Sequence, residues 1–207
     1  MSHNYNGNWT WDQNEETCTG VTTSCASINP EKTSGIICTS EGGLRRINST
    51  DGKAWTEGSD LPSSWNRGSP VPSKISVAWN DSQEWLYVSY NDRKIYGAAK
   101  PYTNPQLIDV GEPVVYSVGV NLDGNYMVIS VLNSSLDLYE LTGSGSNWSG
   151  NTLLSINTGT DENYPVIGEV DGHNALAYNR DTDIWGSQNG EVSIESSSLG
   201  QIKVTFR

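Results

Sequence analysis

The sequence predicts an all-β protein, a small β-propeller of about five blades that forms a single domain over residues 1–207. Three observations lead to this prediction: a polar composition rich in turn residues, strand pairs that recur along the chain, and chain ends that complement each other. Hydrophobic residues make up only 35% of the sequence, which contains 21 glycines. Short strands joined by many polar turns have this kind of composition.

Each repeat begins with two apolar, β-branched segments whose starts lie about nine residues apart. The first segments are Gly35–Ser40, Ile75–Asn80, Val115–Asn121, Pro165–Asp171 and Glu191–Ser197. The second segments begin at Gly43, Glu84, Asn125, Asn174 and Gly200. Because Gly, Asp, Asn and Ser fill the gaps, each pair predicts a β-hairpin.

An aromatic residue followed by a small or acidic one marks a third strand after each of the first four hairpins. These pairs are Trp55-Thr56, Tyr96-Gly97, Tyr139-Glu140 and Trp185-Gly186. The fifth hairpin reaches Arg207 without a third strand, whereas Asn8-Trp9-Thr10 has the same aromatic signature without a hairpin before it. We therefore expect the N-terminal strand to complete the C-terminal blade, which closes the ring and removes exposed sheet edges. Four blades plus an odd hairpin is the alternative, because few residues separate Trp185 from Glu191.

The charge and the motif content exclude several classes of function. A net charge of -12 and a pI near 4.4 predict no binding to nucleic acid or to anionic membranes. The sequence has no 18-residue apolar run, no phosphate-binding or dinucleotide-binding glycine motif and no metalloprotease motif. We therefore expect no cofactor, and the spacing of the three cysteines argues against a zinc site.

The cysteines and one acidic residue give more local expectations. Cys18 and Cys25 flank a Thr-rich stretch and are candidates for a small disulfide loop, whereas Cys38 is predicted to be a buried thiol. A disulfide favours secretion, although Met1 does not begin a signal peptide in this sequence. Glu169 interrupts a predicted inner strand, so its side chain faces either the central channel or the solvent.

Two parts of the chain resemble blades of the fungal fucose-specific lectins. They are Tyr116–Asn133 with its continuation to Gly150, and Ile75–Trp79 with Trp85–Tyr90. In that family an Arg on the second strand and a Glu on the third hold the sugar hydroxyls, while an aromatic ring stacks on the apolar face of the sugar. The resemblance implies a propeller fold and a ligand of the fucose type.

The lectin motif is only partly present in the blade that resembles it most. Glu140 falls on the lectins' Glu, Tyr139 precedes it, and Trp148 occupies the later aromatic position. Val128 stands where the lectins have Arg, so the Arg–Glu pair is broken there.

The blade around Arg45 and Arg46 is the one that offers both partners. Glu57 follows Arg45 by twelve residues, and Trp55 lies beside it. The same segment, Asn48–Glu57, resembles the Asp-box turn of sialidase-type propellers and predicts a structural turn between two strands. The resemblance thus implies at most one complete fucose-type site.

Three functions remain compatible with the sequence. Carbohydrate binding is favoured by the lectin resemblance and by the eight Trp and ten Tyr residues. The alternatives are a cofactor-free enzyme, such as a fungal natural-product cyclase of the hetero-Diels–Alder type, and a protein-interaction scaffold. Repeated shallow pockets between blades favour the lectin, one deep apolar pocket favours the enzyme, and a flat face favours the scaffold. The expected partner is a glycan or another small molecule, and association into homo-oligomers is left open.

Overall fold

A computed structural model gives the architecture over most of the middle of the chain. It describes residues 23–29, 31, 33–39, 43–52, 54–66, 72–79, 84–90, 92–112, 114–132, 136–157, 165–170, 173–180 and 183–188. The N-terminal strand at Asn8–Thr10, the last hairpin from Glu191 and Cys18 lie outside these residues. Ring closure and the predicted Cys18–Cys25 disulfide therefore stay predictions.

The described residues form fifteen strands in four antiparallel sheets, with one 3-10 turn at Ser63–Trp65. The first sheet contains β1 (Thr23–Ile28), β2 (Ser34–Thr39), β3 (Leu44–Ser49) and β4 (Trp55–Asp60). The second contains β5 (Pro72–Trp79), β6 (Glu84–Tyr90), β7 (Ile95–Ala99) and β8 (Gln106–Ile108). The third contains β9 (Val115–Val120), β10 (Tyr126–Leu132), β11 (Leu136–Ser144) and β12 (Asn147–Asn157). The fourth contains β13 (Val166–Val170), β14 (His173–Arg180) and β15 (Asp183–Gln188).

In every sheet the strands follow one another in chain order, and the first strands of successive sheets lie side by side. β1 contacts β5, β5 contacts β9, and β9 contacts β13. The sheets therefore pack face to face in sequence, each against the next. The predicted all-β class is confirmed, and no helix of the described part is long and apolar enough to cross a membrane.

The core of the described residues lies in three seams between neighbouring sheets. The first seam, between the first two sheets, contains Ile36, Cys38, Leu44, Leu61, Trp65, Leu86, Val88, Tyr90, Tyr96, Ala98 and Tyr102. The second seam contains Trp85, Tyr87, Ile95 and Val110 with Met127, Ile129, Leu141 and Trp148, among others. The third contains Val128, Leu138, Ile167, Leu176 and Tyr178. Because strand side chains alternate between faces, consecutive residues of β6 serve different seams: Trp85 the second and Leu86 the first.

The hairpin pattern predicts the strand starts well but assigns the first repeat wrongly. β6, β10 and β14 begin within one residue of Glu84, Asn125 and Asn174. In the first sheet, however, β1 precedes the predicted hairpin, so that hairpin forms the second and third strands and Trp55 opens the fourth. The sequence of β1, TSCASI, consists mainly of small residues and contains one large apolar side chain, Ile28, so it lacks the apolar pattern that identified the other strands.

The prediction for Cys38 is confirmed, since its side chain is fully buried in the first seam. Cys25 lies on β1, where its Cα is the register partner of Cys38 on β2. The predicted turn between Asn48 and Glu57 is also confirmed. Ser49 ends β3, Asp51 accepts a hydrogen bond from the Ala54 amide at 3.0 Å, and β4 begins at Trp55.

Candidate ligand-binding site

Arg45 and Arg46 adjoin in the sequence but lie on opposite faces of β3. Leu44 belongs to the first seam, so Arg46 shares its face toward the second sheet, and Arg45 faces away from that sheet. The register places Trp55 opposite Ser49 and Glu57 opposite Ile47, on the same face as Arg45. The structure therefore brings together Arg45, Trp55 and Glu57 and separates Arg46 from them.

Arg45 is held between two carboxylates. Its Nη1 donates to Glu57 Oε2 at 2.8 Å, and its Nε donates to Asp60 Oδ1 at 2.7 Å. A register shift between β3 and β4 inserts an extra residue in β4, which lets both acids reach one guanidinium. The hydrogen bond to Asp60, followed by the charge of Asp60 and the hydrogen bond to Glu57, raises the pKa of Arg45 above its ordinary value. The Arg–Glu pair that the lectin resemblance implies is thus an ion pair here, with a third charged partner.

Arg46 lies on the ring of Tyr102 at the rim of the first seam. Its Cζ is 5.1 Å from the ring centroid, and its Nη2 donates to the carbonyl of Pro101 at 3.0 Å. Tyr102 is itself fixed: it is 2% exposed, and its carbonyl accepts a hydrogen bond of 2.6 Å from the Trp65 indole. Stacking on an immobile ring and one hydrogen bond restrict the guanidinium before any ligand arrives.

Around Arg46 the two sheets leave a shallow polar cleft with a volume of about 30 Å³. It is lined by Ser34, Gly35, Ile36, Arg46 and Asn48 of the first sheet and by Glu84, Lys100 and Tyr102 of the second. Lys100 Nζ lies 3.1 Å from Glu84 Oε2, so these two side chains form an ion pair at the edge of the cleft. The lining offers a guanidinium, an amide and a hydroxyl to a small hydrophilic ligand.

Glu140 lies in the third seam, where a tyrosine takes the place of the lectins' Arg. Val128 is the register partner of Glu140, which is where an Arg would meet it. Instead, the hydroxyl of Tyr126 donates to Glu140 Oε2 at 3.0 Å. Burial, and then the hydrogen bond to Glu140, raise the pKa of Tyr126, so this hydroxyl keeps its proton.

Trp148 and Tyr139 pack on the opposite face of the third sheet, so the structure does not bring them together with Glu140. Trp148 is only 8% exposed and packs edge-on against Tyr87 in the second seam. Its indole donates to the carbonyl of Gly145 at 2.9 Å. Tyr139 packs against the same cluster. Trp148 is therefore a core residue rather than a platform for a ligand beside Glu140.

Sequence reasoning missed most of the cleft. Its lining comes from positions as far apart as Ser34 and Tyr102, and no local motif joins them. The available signal was the turn Lys100-Pro101-Tyr102 after a predicted third strand, which contains a cation and an aromatic ring. Glu169 lies on β13 with Asn174 as its register partner. Among the described residues, no group of three or more His, Cys, Asp or Glu is placed to hold a metal ion.

Four meandering sheets packed face to face through their first strands define the β-propeller class, and comparison with solved structures agrees. The chain is similar to a GH43 endo-arabinanase from Bacillus licheniformis, with 18% identity and a TM-score of 0.54, over 84% of this chain and 73% of that one. It is also similar to a putative TolB from Agrobacterium tumefaciens, with 16% identity and a TM-score of 0.61, over 88% of this chain and 65% of that one. Both are β-propellers, and at these identities the likeness establishes the fold alone. No protein-family model and no curated protein sequence matches the chain.

Proposed function

We propose that this protein is a lectin-like propeller that binds a glycan in the cleft between its first and second sheets. The observation that carries the proposal is the position of Arg46, stacked on the buried Tyr102 ring and lining an open polar cleft. As part of the same proposal, the ring has five blades, and the strand at Asn8–Thr10 completes the last one.

A sugar fits the chemistry of this cleft better than an apolar substrate does. Among the described residues Arg46 uses one guanidinium N–H, toward Pro101, so the others remain for a ligand. Asn48 adds an amide and Ser34 a hydroxyl, and both groups suit the hydroxyls of a sugar. The cyclase hypothesis needed a deep apolar pocket, whereas this cleft is shallow and carries charges.

The face that carries Arg45, Glu57 and Trp55 is a second candidate site within the same function. It contains the residue types of the fucose-type motif, and Trp55 is partly exposed. Both carboxylates already occupy the guanidinium of Arg45, so a sugar there has to compete with two charge-assisted hydrogen bonds. We therefore give the Arg46 cleft priority.

Isothermal titration of glycans selected on an array tests the proposal, with Arg46→Ala as the main variant. Charge-assisted hydrogen bonds contribute about 1.5–3 kcal/mol, so we expect this change to weaken binding about 10- to 100-fold. Arg93→Ala is the matched control, because Arg93 also stacks on a tyrosine, with its Cζ 3.6 Å from the Tyr116 centroid, at the opposite end of β6. Unchanged affinity in Arg46→Ala, or no glycan bound by the wild type at millimolar concentration, overturns the proposal.

A further inference from the structure

The charges at the first seam are unevenly compensated. Lys100 pairs with Glu84, and on the other face Arg45 pairs with Glu57 and Asp60. Arg46 has no carboxylate within ion-pair distance among the described residues, and its contacts there are a carbonyl and an aromatic ring. Among the described residues of the cleft, Arg46 is therefore the cation without a carboxylate partner, in a chain whose net charge is -12.

The two partners of Arg46 fix the orientation of its guanidinium. The guanidinium carbon lies over the ring of Tyr102, 5.1 Å from its centroid, and the carbonyl of Pro101 accepts one N–H. The N–H edges that remain match the two oxygens of a carboxylate, which accepts a parallel pair of hydrogen bonds from such a fork. A single hydroxyl of a neutral sugar cannot accept this parallel pair of hydrogen bonds with two oxygens.

Lys100 extends the preference for a carboxylate to the mouth of the cleft. Its side chain is 59% exposed, whereas that of its partner Glu84 is 10% exposed, so the ammonium is the more accessible charge of the pair. An ammonium has three donors, and one of them serves Glu84. An approaching anion therefore meets the lysine before the glutamate.

We infer that the cleft selects glycans with a carboxylated sugar, such as a hexuronate residue, over their neutral counterparts. Arg46 holds the carboxylate and Lys100 assists at the mouth, while Asn48 and Ser34 contact hydroxyls. This inference rests on the proposed glycan-binding function. The strongly negative net charge repels polyanions, which favours a ligand with few carboxylates over a heavily sulfated chain.

Isothermal titration with trigalacturonate and with its fully methyl-esterified form tests the selectivity, because esterification removes the carboxylate charges and leaves the sugar rings and hydroxyls unchanged. We expect the acid to bind at least tenfold more tightly than the ester. Arg46→Gln abolishes this preference, Lys100→Gln reduces it about two- to fivefold, and Arg93→Gln leaves it unchanged. Added salt weakens binding of the acid more than binding of the ester.

The outcomes separate the two proposals. Equal affinities for acid and ester, both lost in Arg46→Ala, overturn the carboxylate selectivity and leave glycan binding at the cleft in place. Binding of neutral fucose-type sugars alone, abolished by Arg45→Ala and not by Arg46→Ala, overturns both the selectivity and the choice of cleft. No binding of any glycan overturns the proposed function together with this inference.

Discussion

The first and second seams share the strand β6, but the residues at the edges of the two seams differ in polarity and packing. Glu84 and Trp85 are consecutive residues at the start of that strand and face different sheets. On the side of Glu84 the rim is an open, charged cleft, whereas on the side of Trp85 it is filled by aromatic rings. One strand framework thus supports both an open polar cleft and a closed aromatic core.

The two edges differ because a different chain segment packs against each of them. At the second seam the turn between β11 and β12 lies against Trp85, and the carbonyl of Gly145 accepts hydrogen bonds of 2.9 Å from both Tyr87 and Trp148. Trp85 stacks on Tyr87 with centroids 5.9 Å apart. At the first seam no ring among the described residues covers the cleft in this way, and Tyr102 lies buried beneath Arg46. We therefore expect changes at the second seam to affect stability and changes at the first to affect binding.

The largest effect is expected from Trp148→Ala. Removal of this buried indole leaves a cavity and deletes its hydrogen bond to Gly145, so we expect the free energy of unfolding to fall by about 3–5 kcal/mol. Urea denaturation followed by circular dichroism measures the loss. Trp55→Ala is the control, since Trp55 is partly exposed and should cost about 1 kcal/mol or less. Equal losses in the two variants contradict the assignment of Trp148 to the core.

A smaller loss of about 1–3 kcal/mol is expected from Gly145→Ala. The backbone φ of Gly145 is +59°, which disfavours a side chain, and an added Cβ would lie 3.1 Å from the Trp85 ring. Gly150→Ala separates the two causes, because Gly150 has φ +83° but its Cβ would meet only Thr142 Oγ1, at 3.6 Å. If thermal denaturation shows Gly150→Ala to be the more destabilised variant, contact with Trp85 is not the cause.

Tyr126→Phe tests the third seam and is expected to cost about 0.5–1.5 kcal/mol at neutral pH, the net value of one hydrogen bond. The sign of its pH dependence follows from the raised pKa of Tyr126. The unfolded chain loses this proton near its ordinary pKa of 10.0 while the folded state retains it. Stability of the wild type therefore falls as the pH rises above that value, and the variant lacks this contribution. A pH-independent difference between the two proteins in denaturation from pH 8 to 11 contradicts this account.

The smallest effect on stability is expected from Arg46→Ala. Its contacts with Tyr102 and Pro101 lie at a partly exposed rim, so the free energy of unfolding should change by less than about 1 kcal/mol. Thermal denaturation of this variant beside Arg93→Ala checks the value. A loss above 3 kcal/mol would make Arg46 a structural residue and remove the distinction between the two seams.

The sequence predicts local features of this fold better than contacts between sheets. Turn residues and apolar strands locate β6, β10 and β14, because both signals lie within a few residues of each other. The spacing of Arg45 and Glu57 likewise anticipated a contact across neighbouring strands. β1 escaped notice because it has only one large apolar residue, Ile28, although it pairs with β2 along its length.

The cleft was not predictable in the same way. It depends on how two sheets pack and on the left-handed backbone of Tyr102, with φ of 66°, which no local pattern reveals. The adjacent arginines illustrate the difficulty. Arg45 and Arg46 are consecutive in the sequence but lie on opposite faces of β3, because strand side chains alternate. For the same reason Glu140 and Trp148, which looked like parts of one site, belong to different seams.

NMR of the arginine side chains tests the central claim most directly, since each guanidinium Nε–Hε group gives its own signal. On addition of trigalacturonate, the signal of Arg46, assigned through Arg46→Lys, is predicted to shift progressively to saturation. The signals of Arg93 and Arg45 are predicted to stay in place. A shift confined to Arg45, or no shift of Arg46 at ligand concentrations that saturate the protein, contradicts the assignment of the cleft as the glycan site.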